Sequence, residues 1–404
     1  MTAEGWIEKE LSDILTLNYG WSLPEKKRVP GNVPVYGSNG IVGSHQHALV
    51  TTPGLIVGRK GSAGNVHYSR VPFCPIDTTF YVAPGDTSVD LEFLYYLLLH
   101  IDLTRILGDV GVPGLNREMA YKERARLPTD PDEQRKIAGI LNLVQKTIEQ
   151  QERLIALTTE LKKSLMHKLF TEGLRGEPQK QTEIGPVPQS WKVEKLGDLF
   201  DTQLGKMLSQ KARTGDDPKP YLRNKNVQWR AIDTTDLLSM DFNERERRRF
   251  SLVPGDLLIC EGGEPGRAAI WHGELSECYY QKALHRLRPK SDRVSNDFLA
   301  HWLEFALRRQ DLYGVAGASS TIAHLPEVQI KMLPVPLPVR KEQDAVVEFL
   351  NALDNKTALH QRARAALSDL FRTLLHRLMT GQIRVGELSK GTATSEGYEC
   401  GDCR

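Results

Sequence analysis

Two short stretches of the chain combine glycines with basic and amide side chains, and each lies beside an apolar run. The first is Gly58-Arg59-Lys60-Gly61-Ser62-Ala63-Gly64-Asn65, with Tyr36-Gly37-Ser38-Asn39-Gly40 upstream. The second is Gly262-Gly263-Glu264-Pro265-Gly266-Arg267, with Tyr221-Leu222-Arg223-Asn224-Lys225-Asn226 upstream and Gln281-Lys282 downstream. Glycine lets a backbone approach a ligand closely, Arg and Lys pair with phosphates or guanine edges, and Asn or Gln can make a two-bond contact with adenine. The candidate DNA-contacting residues are therefore Tyr36, Ser38, Asn39, Arg59, Lys60, Ser62 and Asn65 in the first set. In the second they are Arg223, Asn224, Lys225, Asn226, Arg267, Gln281 and Lys282. Taken alone, either stretch reads more simply as a tight hairpin with solvated charges. Their recurrence at matched positions of a repeat favours a ligand-contacting surface. The run Glu244-Arg-Glu-Arg-Arg-Arg249 is either a further phosphate contact or a solvated helix face.

Signals of catalysis are missing from the sequence. It contains no Gly-x4-Gly-Lys-Ser/Thr phosphate loop, no His-Glu-x-x-His and no Asn/Asp-Pro-Pro-Tyr. Pro131-Asp-Glu-Gln-Arg-Lys136 places its carboxylates at a helix start, where they read as capping groups. His45-Gln46-His47 offers two metal donors without a third, and Cys400 with Cys403 is half a zinc knuckle without the other half. No catalytic centre, metal or cofactor is expected in the chain itself.

The elements that must position these loops are duplicated. Residues 140–173 align without a gap onto 349–382, at an offset of 209, so that Leu141-Asn142 falls on Leu350-Asn351 and His167 on His376. Upstream, Trp6, Leu11, Asp13 and Gly20 match Trp191, Leu196, Asp198 and Gly205 at an offset of 185. Pro53-Gly54 matches Pro254-Gly255 at 201, so the second copy carries 16 extra residues in between. Each copy is a variable globular part followed by a long helix. One helical seam runs through Leu141, Val144, Ile148, Ile155, Leu165 and Leu169. Its counterpart runs through Leu350, Leu353, Leu367, Phe371, Leu374 and Leu378, and both have the four-and-three spacing of a coiled coil. Polar residues near the middle, among them Thr158, Lys162, Thr357, His360 and Arg364, leave the seam imperfect. Asp130, Pro131 and Glu133 supply a cap, a first helical residue and an acidic first turn for the first helix; Val339 stands at the capping position of the second. The pattern alone fits either a homodimeric coiled coil or a hairpin, and the repeat favours an antiparallel pair within one chain.

The globular parts read as β-rich with a few short helices. Gly54–Gly58, 80–83 and 255–260 are strand candidates, and 91–99 and 297–307 are apolar helix candidates. The expected fold class is α+β: two β-rich domains joined by two long antiparallel coiled-coil helices, as a pseudo-twofold internal repeat. The expected boundaries are 1–128, a first spacer helix 129–173, a linker 174–185, a second domain 186–337, a second spacer helix 338–382 and a disordered tail 383–404.

Composition narrows the class further. Lys and Arg number 53 against 51 Asp and Glu among 404 residues, so the net charge of +2 excludes a bulk polycation and leaves local patches to do any nucleic-acid binding. Cys74, Cys260 and Cys278 sit in apolar surroundings, which excludes a disulfide framework and fits a reduced cytoplasm. No stretch approaches the ~20 apolar residues of a membrane span, and the first residues do not read as a secretory leader.

The segment Thr182-Glu-Ile-Gly-Pro-Val-Pro-Gln-Ser-Trp-Lys-Val-Glu-Lys-Leu-Gly197 resembles the opening of a target-recognition domain in the specificity (S) subunits of type I restriction-modification enzymes. Further likeness lies in Ile56–Tyr68, Pro220–Val227 and Leu337-Pro-Val-Arg-Lys-Glu-Gln343. The resemblance covers nearly the whole chain except its tail. It implies a non-catalytic subunit in phage defence, whose two domains each read half of a bipartite double-stranded DNA site. It also implies helices that dock two methyltransferase subunits, with motor-nuclease subunits joining them. S-adenosylmethionine, ATP and Mg would be held by those partners. The first copy departs from the pattern by lacking the Ile-Gly-Pro lead-in and by a junction, Leu127-Pro-Thr-Asp-Pro-Asp-Glu-Gln134, that is one residue longer. Because the segments between the shared frames differ, the two half-sites should differ as well. Leu154, Leu157, Leu161 and Leu370 lie off the seam, and either dock a partner or widen the intramolecular core. A stand-alone DNA-binding regulator and a coiled-coil scaffold without DNA contacts are the competing readings.

Overall fold

The computed structural model describes residues 5–106, 114–213, 217–309 and 324–390. The chain forms two compact units, Met1–Arg153 with Gln361–Arg404, and Leu154–His360. The long helices, Pro131–Glu172 and Arg340–Met379, 42 and 40 residues long, each contribute one part to each unit.

In the first unit an antiparallel sheet runs Asn18–Tyr19, Thr79–Val82, Gly54–Gly58, Val66–Ser69. A second sheet runs Gly40–His45, Val33–Gly37, Cys74–Pro75, and its last pair is parallel. Gly54–Gly58 is buried along its whole length, which explains its uninterrupted apolar run. Helix Leu91–Ile101 covers the sheet; Asp90 caps it by accepting from Phe93 N–H at 2.9 Å. A ribbon of Trp6–Glu10 and Arg124–Pro128 closes the domain and leads directly into the first long helix. There Ile137 and Leu141 join Leu378 and Met379 of the antiparallel helix segment in one core with Leu55, Phe93 and Leu97.

The second unit repeats this topology. Its four-stranded sheet runs Phe200–Leu204, Leu284–Pro289, Leu257–Cys260, Ala268–Ile270. Its three-stranded sheet runs Leu238–Asp241, Pro218–Leu222, Tyr279–Tyr280, again with a parallel last pair. Lys192–Lys195 pairs with Pro334–Leu337 as the closing ribbon. Helix Asn296–Leu303 is shorter than expected, because the chain widens into a π-helical segment at Glu304–Arg309.

The polar middle of the seam has a physical explanation in this unit. Lys162 is buried, yet its ammonium lies 3.0 Å from Glu304 and 2.7 Å from Asp354, so the charge is removed from water with two carboxylates beside it. Thr357 donates to Thr158 at 3.2 Å. The apolar seam residues flank these contacts: Leu169 and Leu350 are buried, while Ile155, Leu165 and Leu353 are half-buried. In the first unit Leu141 and Leu378 are buried, and Val144, Ile148, Leu367, Phe371 and Leu374 are half-buried. Arg364 is exposed beside Glu152, at 3.9 Å.

Two expectations are corrected. The segment expected to be a linker folds as a hairpin, Gln179–Thr182 with Gly185–Pro188, because Ile184 and Val187 bury against Phe170 and Trp191. The tail does not begin at 383: Val385–Lys390 is helical, Val385 packs on the first core and Arg384 pairs with Glu133 at 3.1 Å. Cys400 and Cys403 lie outside the described residues. Cys74, Cys260 and Cys278 are buried as free thiols, and burial pushes Cys260 up to about 11 and Cys278 up to about 12.

Candidate nucleic-acid interface

Both glycine loops are closed by the same backbone hydrogen bonds. Gly58 N–H donates to Asn65 O and Cys260 N–H to Arg267 O, each at 2.8 Å. Gly64 N–H returns to Gly58 O at 2.8 Å, and Gly266 N–H to Cys260 O at 2.9 Å. Gly64 and Gly266 have φ of +84° and +85°, and Gly61 and Gly263 have +74° and +80°, values that favour glycine. Leu115 N–H donates to Arg59 O and Leu325 N–H to Glu261 O, at 2.9 and 2.7 Å. Across these turns the offset is 202 rather than the 201 of the Pro-Gly match. The extra residue is Asp256, buried before its strand and bound to Arg288 at 2.6 Å.

In the first domain the loop opens onto a cleft of about 570 Å³ lined by Tyr19, Arg59, Lys60, Phe80, Asn116 and Arg117. Arg59 and Arg117 lie over the Tyr19 ring at 5.3 and 5.1 Å. The Arg59 guanidinium also donates to Asp77 O at 2.5 Å, which fixes its orientation. Tyr19, Lys60 and Asn39 are exposed, whereas Ser62 and Asn65 are half-buried. Two candidates take another role: Tyr36 is buried against Phe73, and Ser38 is buried with its hydroxyl donating to Thr78 O at 2.6 Å. Sequence reasoning missed Tyr19 and Arg117, because Arg117 reaches the cleft from a distant short helix, Arg117–Tyr121, capped by Asn116. The exposed Trp21, which stacks on Tyr81 at 5.2 Å, was also missed; its only signal is its position next to the matched Gly20.

The second domain uses most of its candidates internally. Asn226 is buried, donates to Asp233 O and Asp236 O at 2.9 and 3.0 Å, and accepts from Arg223 N–H at 3.0 Å. Asn224 donates to Gly262 O at 3.0 Å, and Arg267 to Asn224 O at 2.7 Å, tying the two loops together. Arg223 and Lys225 both pair with Asp236. Lys225 and Lys282 are exposed and Gln281 is half-buried. Glu261 stands where the first domain has Arg59, and Glu327, the first residue of helix Glu327–Met332, stands where it has Arg117. A hydrogen bond from Lys331 holds the Glu327 carboxyl below its usual range. Arg245, Arg248 and Arg249 are exposed on helix Glu244–Phe250, whose Asn243 and Glu246 form a reciprocal cap.

His45 Nδ1 accepts from Val29 N–H at 3.0 Å, and among the described residues no group of three or more His, Cys, Asp or Glu side chains is arranged to hold a metal. No helix is long and apolar enough to cross a membrane, among the described residues.

Leu154, Leu157 and Leu161 are exposed on one face of the first long helix, by 37%, 57% and 55%, so they do not widen the core of their unit. Phe349 and Leu359 are exposed on the second helix in the same unit. In the first unit Leu370 and Leu143 are likewise exposed. Leu143, Phe349 and Leu359 escaped the sequence reading, although all three lie off the seam.

A profile described as "Type I restriction modification DNA specificity domain" matches residues 3–159 and 188–368. The chain is 26% identical, over 69% of its length, to the specificity subunit of the type I restriction enzyme MjaVIII from Methanocaldococcus jannaschii, and the match spans 66% of that protein, just under two thirds. It is also 26% identical to a putative type I restriction enzyme specificity subunit from Haemophilus influenzae, over 82% of each chain. The fold is similar to that of the S subunit of a type-I restriction-modification system from M. genitalium. The TM-score is 0.66 at 17% identity, covering 93% of this chain and 96% of that one.

Proposed function

The chain belongs to the type I restriction modification DNA specificity domain family, and from that premise we propose that it is the sequence-reading, non-catalytic subunit of a restriction-modification complex. Its two domains read the two halves of a bipartite, asymmetric site on double-stranded DNA. The observation that carries this reading is the pair of loops with one backbone frame and different side chains: Arg59, Lys60 and Arg117 around Tyr19 in one, Glu261, Lys282 and Gln281 in the other. One frame with two side-chain sets is what two different half-sites require.

The exposed leucines Leu154, Leu157, Leu161 and Leu370 are the docking surface for two methyltransferase subunits, and motor-nuclease subunits complete the restriction enzyme. Exposed apolar residues in a row on a helix fit a partner's groove. S-adenosylmethionine, ATP and Mg serve those partners, and the assembly works in the cytoplasm. The test uses the complex with its methyltransferase partner on duplexes altered one half at a time. Arg59→Ala weakens modification through one half-site only, and Gln281→Ala through the other; equal losses on both halves contradict the assignment.

A further inference from the structure

Each recognition domain shares an apolar core with the long helices, through Ile137, Leu141 and Leu378 in the first unit and Phe170, Val346 and Leu350 in the second. Two polar contacts of fixed direction accompany that packing, and they recur in both units. Gln134 and Gln343, equivalent in the repeat and both buried, sit in the first turn of their helices. Gln134 Oε1 accepts from Asp90 N–H at 2.9 Å and Gln343 Oε1 from Ser295 N–H at 2.8 Å. Asp90 and Ser295 are the caps of the two domain helices. Their amides donate back to Pro128 O and Pro338 O, each at 2.9 Å.

The second contact lies two turns further along. Arg70 donates to Asn142 Oδ1 at 2.7 Å, and Arg230 to Asn351 Oδ1 at 2.7 Å. The asparagines are equivalent in the repeat, but the arginines are not. Arg70 follows strand Val66–Ser69, whereas Arg230 lies at φ +63° in the turn between Val227–Gln228 and Ala231–Ile232, within the stretch where the second copy is longer. Each arginine also touches the first turn of its domain helix, through Glu92 Oε1 at 2.7 Å and Asp297 O at 3.4 Å. Two domains thus reach the same helix asparagine with an arginine from different elements, and in the second unit His301 Nε2 also lies 2.9 Å from Asn351 Oδ1.

We propose that Arg70–Asn142 and Arg230–Asn351 are positioning contacts that fix the tilt of each domain on its own helices, and so restrict the spacing between half-sites that the chain accepts. The inference rests on the reading of the chain as a bipartite DNA-recognition subunit. A tilt of roughly 10° moves a surface about 20 Å away by about 3.5 Å, one base-pair step.

The experiment maps adenine methylation across the genome of a host expressing the full chain with its methyltransferase subunit. The native chain gives its half-sites at one spacing. Arg70→Ala and Asn142→Leu add the same half-sites at spacings one base pair longer and shorter, lowering the discrimination between spacings by about 10-fold or more. Arg70→Lys, which keeps a donor, restores part of it. Arg70 is half exposed, so Arg70→Ala keeps the test open if Asn142→Leu fails to fold. Unchanged spacing discrimination in folded Arg70→Ala protein overturns the inference, as does a change in the bases read without a change in spacing. A native chain that yields no bipartite motif overturns the proposed function itself, and this inference with it.

Discussion

Where the first domain carries Arg59 and Arg117 the second carries Glu261 and Glu327, although the loops that hold Arg59 and Glu261 are closed by the same hydrogen bonds. The first domain turns cations toward an open cleft with an exposed tyrosine between them. The second uses its amides and arginines to hold a longer loop together, with Asn226 buried as the hub and Arg267 bridging to Asn224. Backbone bonds and glycine conformations fix the frame, which leaves the side chains free to differ. A residue type in the frame therefore does not carry its role from one copy to the other.

The sharpest way to break this comparison is to give the first domain the second domain's charge. Arg59→Glu should weaken modification through the first half-site by roughly 10- to 100-fold, the range of one lost bidentate base or phosphate contact, and leave the other half's sequence preference unchanged. Half-site competition assays read this directly, and a loss spread over both halves would count against separate reading surfaces. The next effect falls on stability. Asn226→Ala leaves buried carbonyl and amide groups without partners and should cost the second unit roughly 1–3 kcal/mol in denaturant unfolding. Asn65→Ala, its counterpart in this test, should stay within about 0.5 kcal/mol while altering the base preference of the first half-site. Equal stability losses would mean that both asparagines are structural.

Lys60→Ala and Lys282→Ala should each lower the slope of log affinity against log salt by about 1, with little change in sequence preference. A changed preference with an unchanged slope would place these lysines on bases instead of phosphates. The smallest effect concerns pH. His301 is buried beside Arg230 and Lys162; burial first, then those cations, hold its pKa well below the ordinary value, so the folded imidazole is neutral. The unfolded chain takes up a proton below about pH 6.5 and the folded one does not, so this contribution is present above that pH and is lost as pH falls further. His301→Gln should flatten the acid-side decline of urea midpoints between pH 7.5 and 5.5; an undiminished decline would assign it to other groups.

The strands around Gly54–Gly58 and Leu257–Cys260 were legible as uninterrupted apolar runs, the seams as a helical period, and the repeat as self-similarity, all of them marks that local sequence carries. The seam residues Leu141, Leu169, Leu350 and Leu378 are all buried. The cleft was only half legible. Arg59 and Lys60 sit in a glycine loop that advertises itself, whereas Tyr19 and Arg117 reach the same cleft from opposite ends of the domain's sequence, and only tertiary packing brings them together. Asn226 misled for the opposite reason: its amide has the chemistry to read a base, but nothing local in the sequence announces that Asp233 and Asp236 carbonyls already occupy it. The linker was misread because Ile184 and Val187, two apolar residues among glycines and prolines, are enough to pin a hairpin to a core.

The central claim is that one chain reads two different half-sites, and single-molecule methylome sequencing tests it most directly. A host expressing the chain with a cognate methyltransferase subunit is compared with a host expressing the methyltransferase alone. The account predicts a new adenine-methylated motif in two parts, with unlike sequences on either side of a fixed gap; a stable complex that adds no motif, or one with two identical halves, would contradict it.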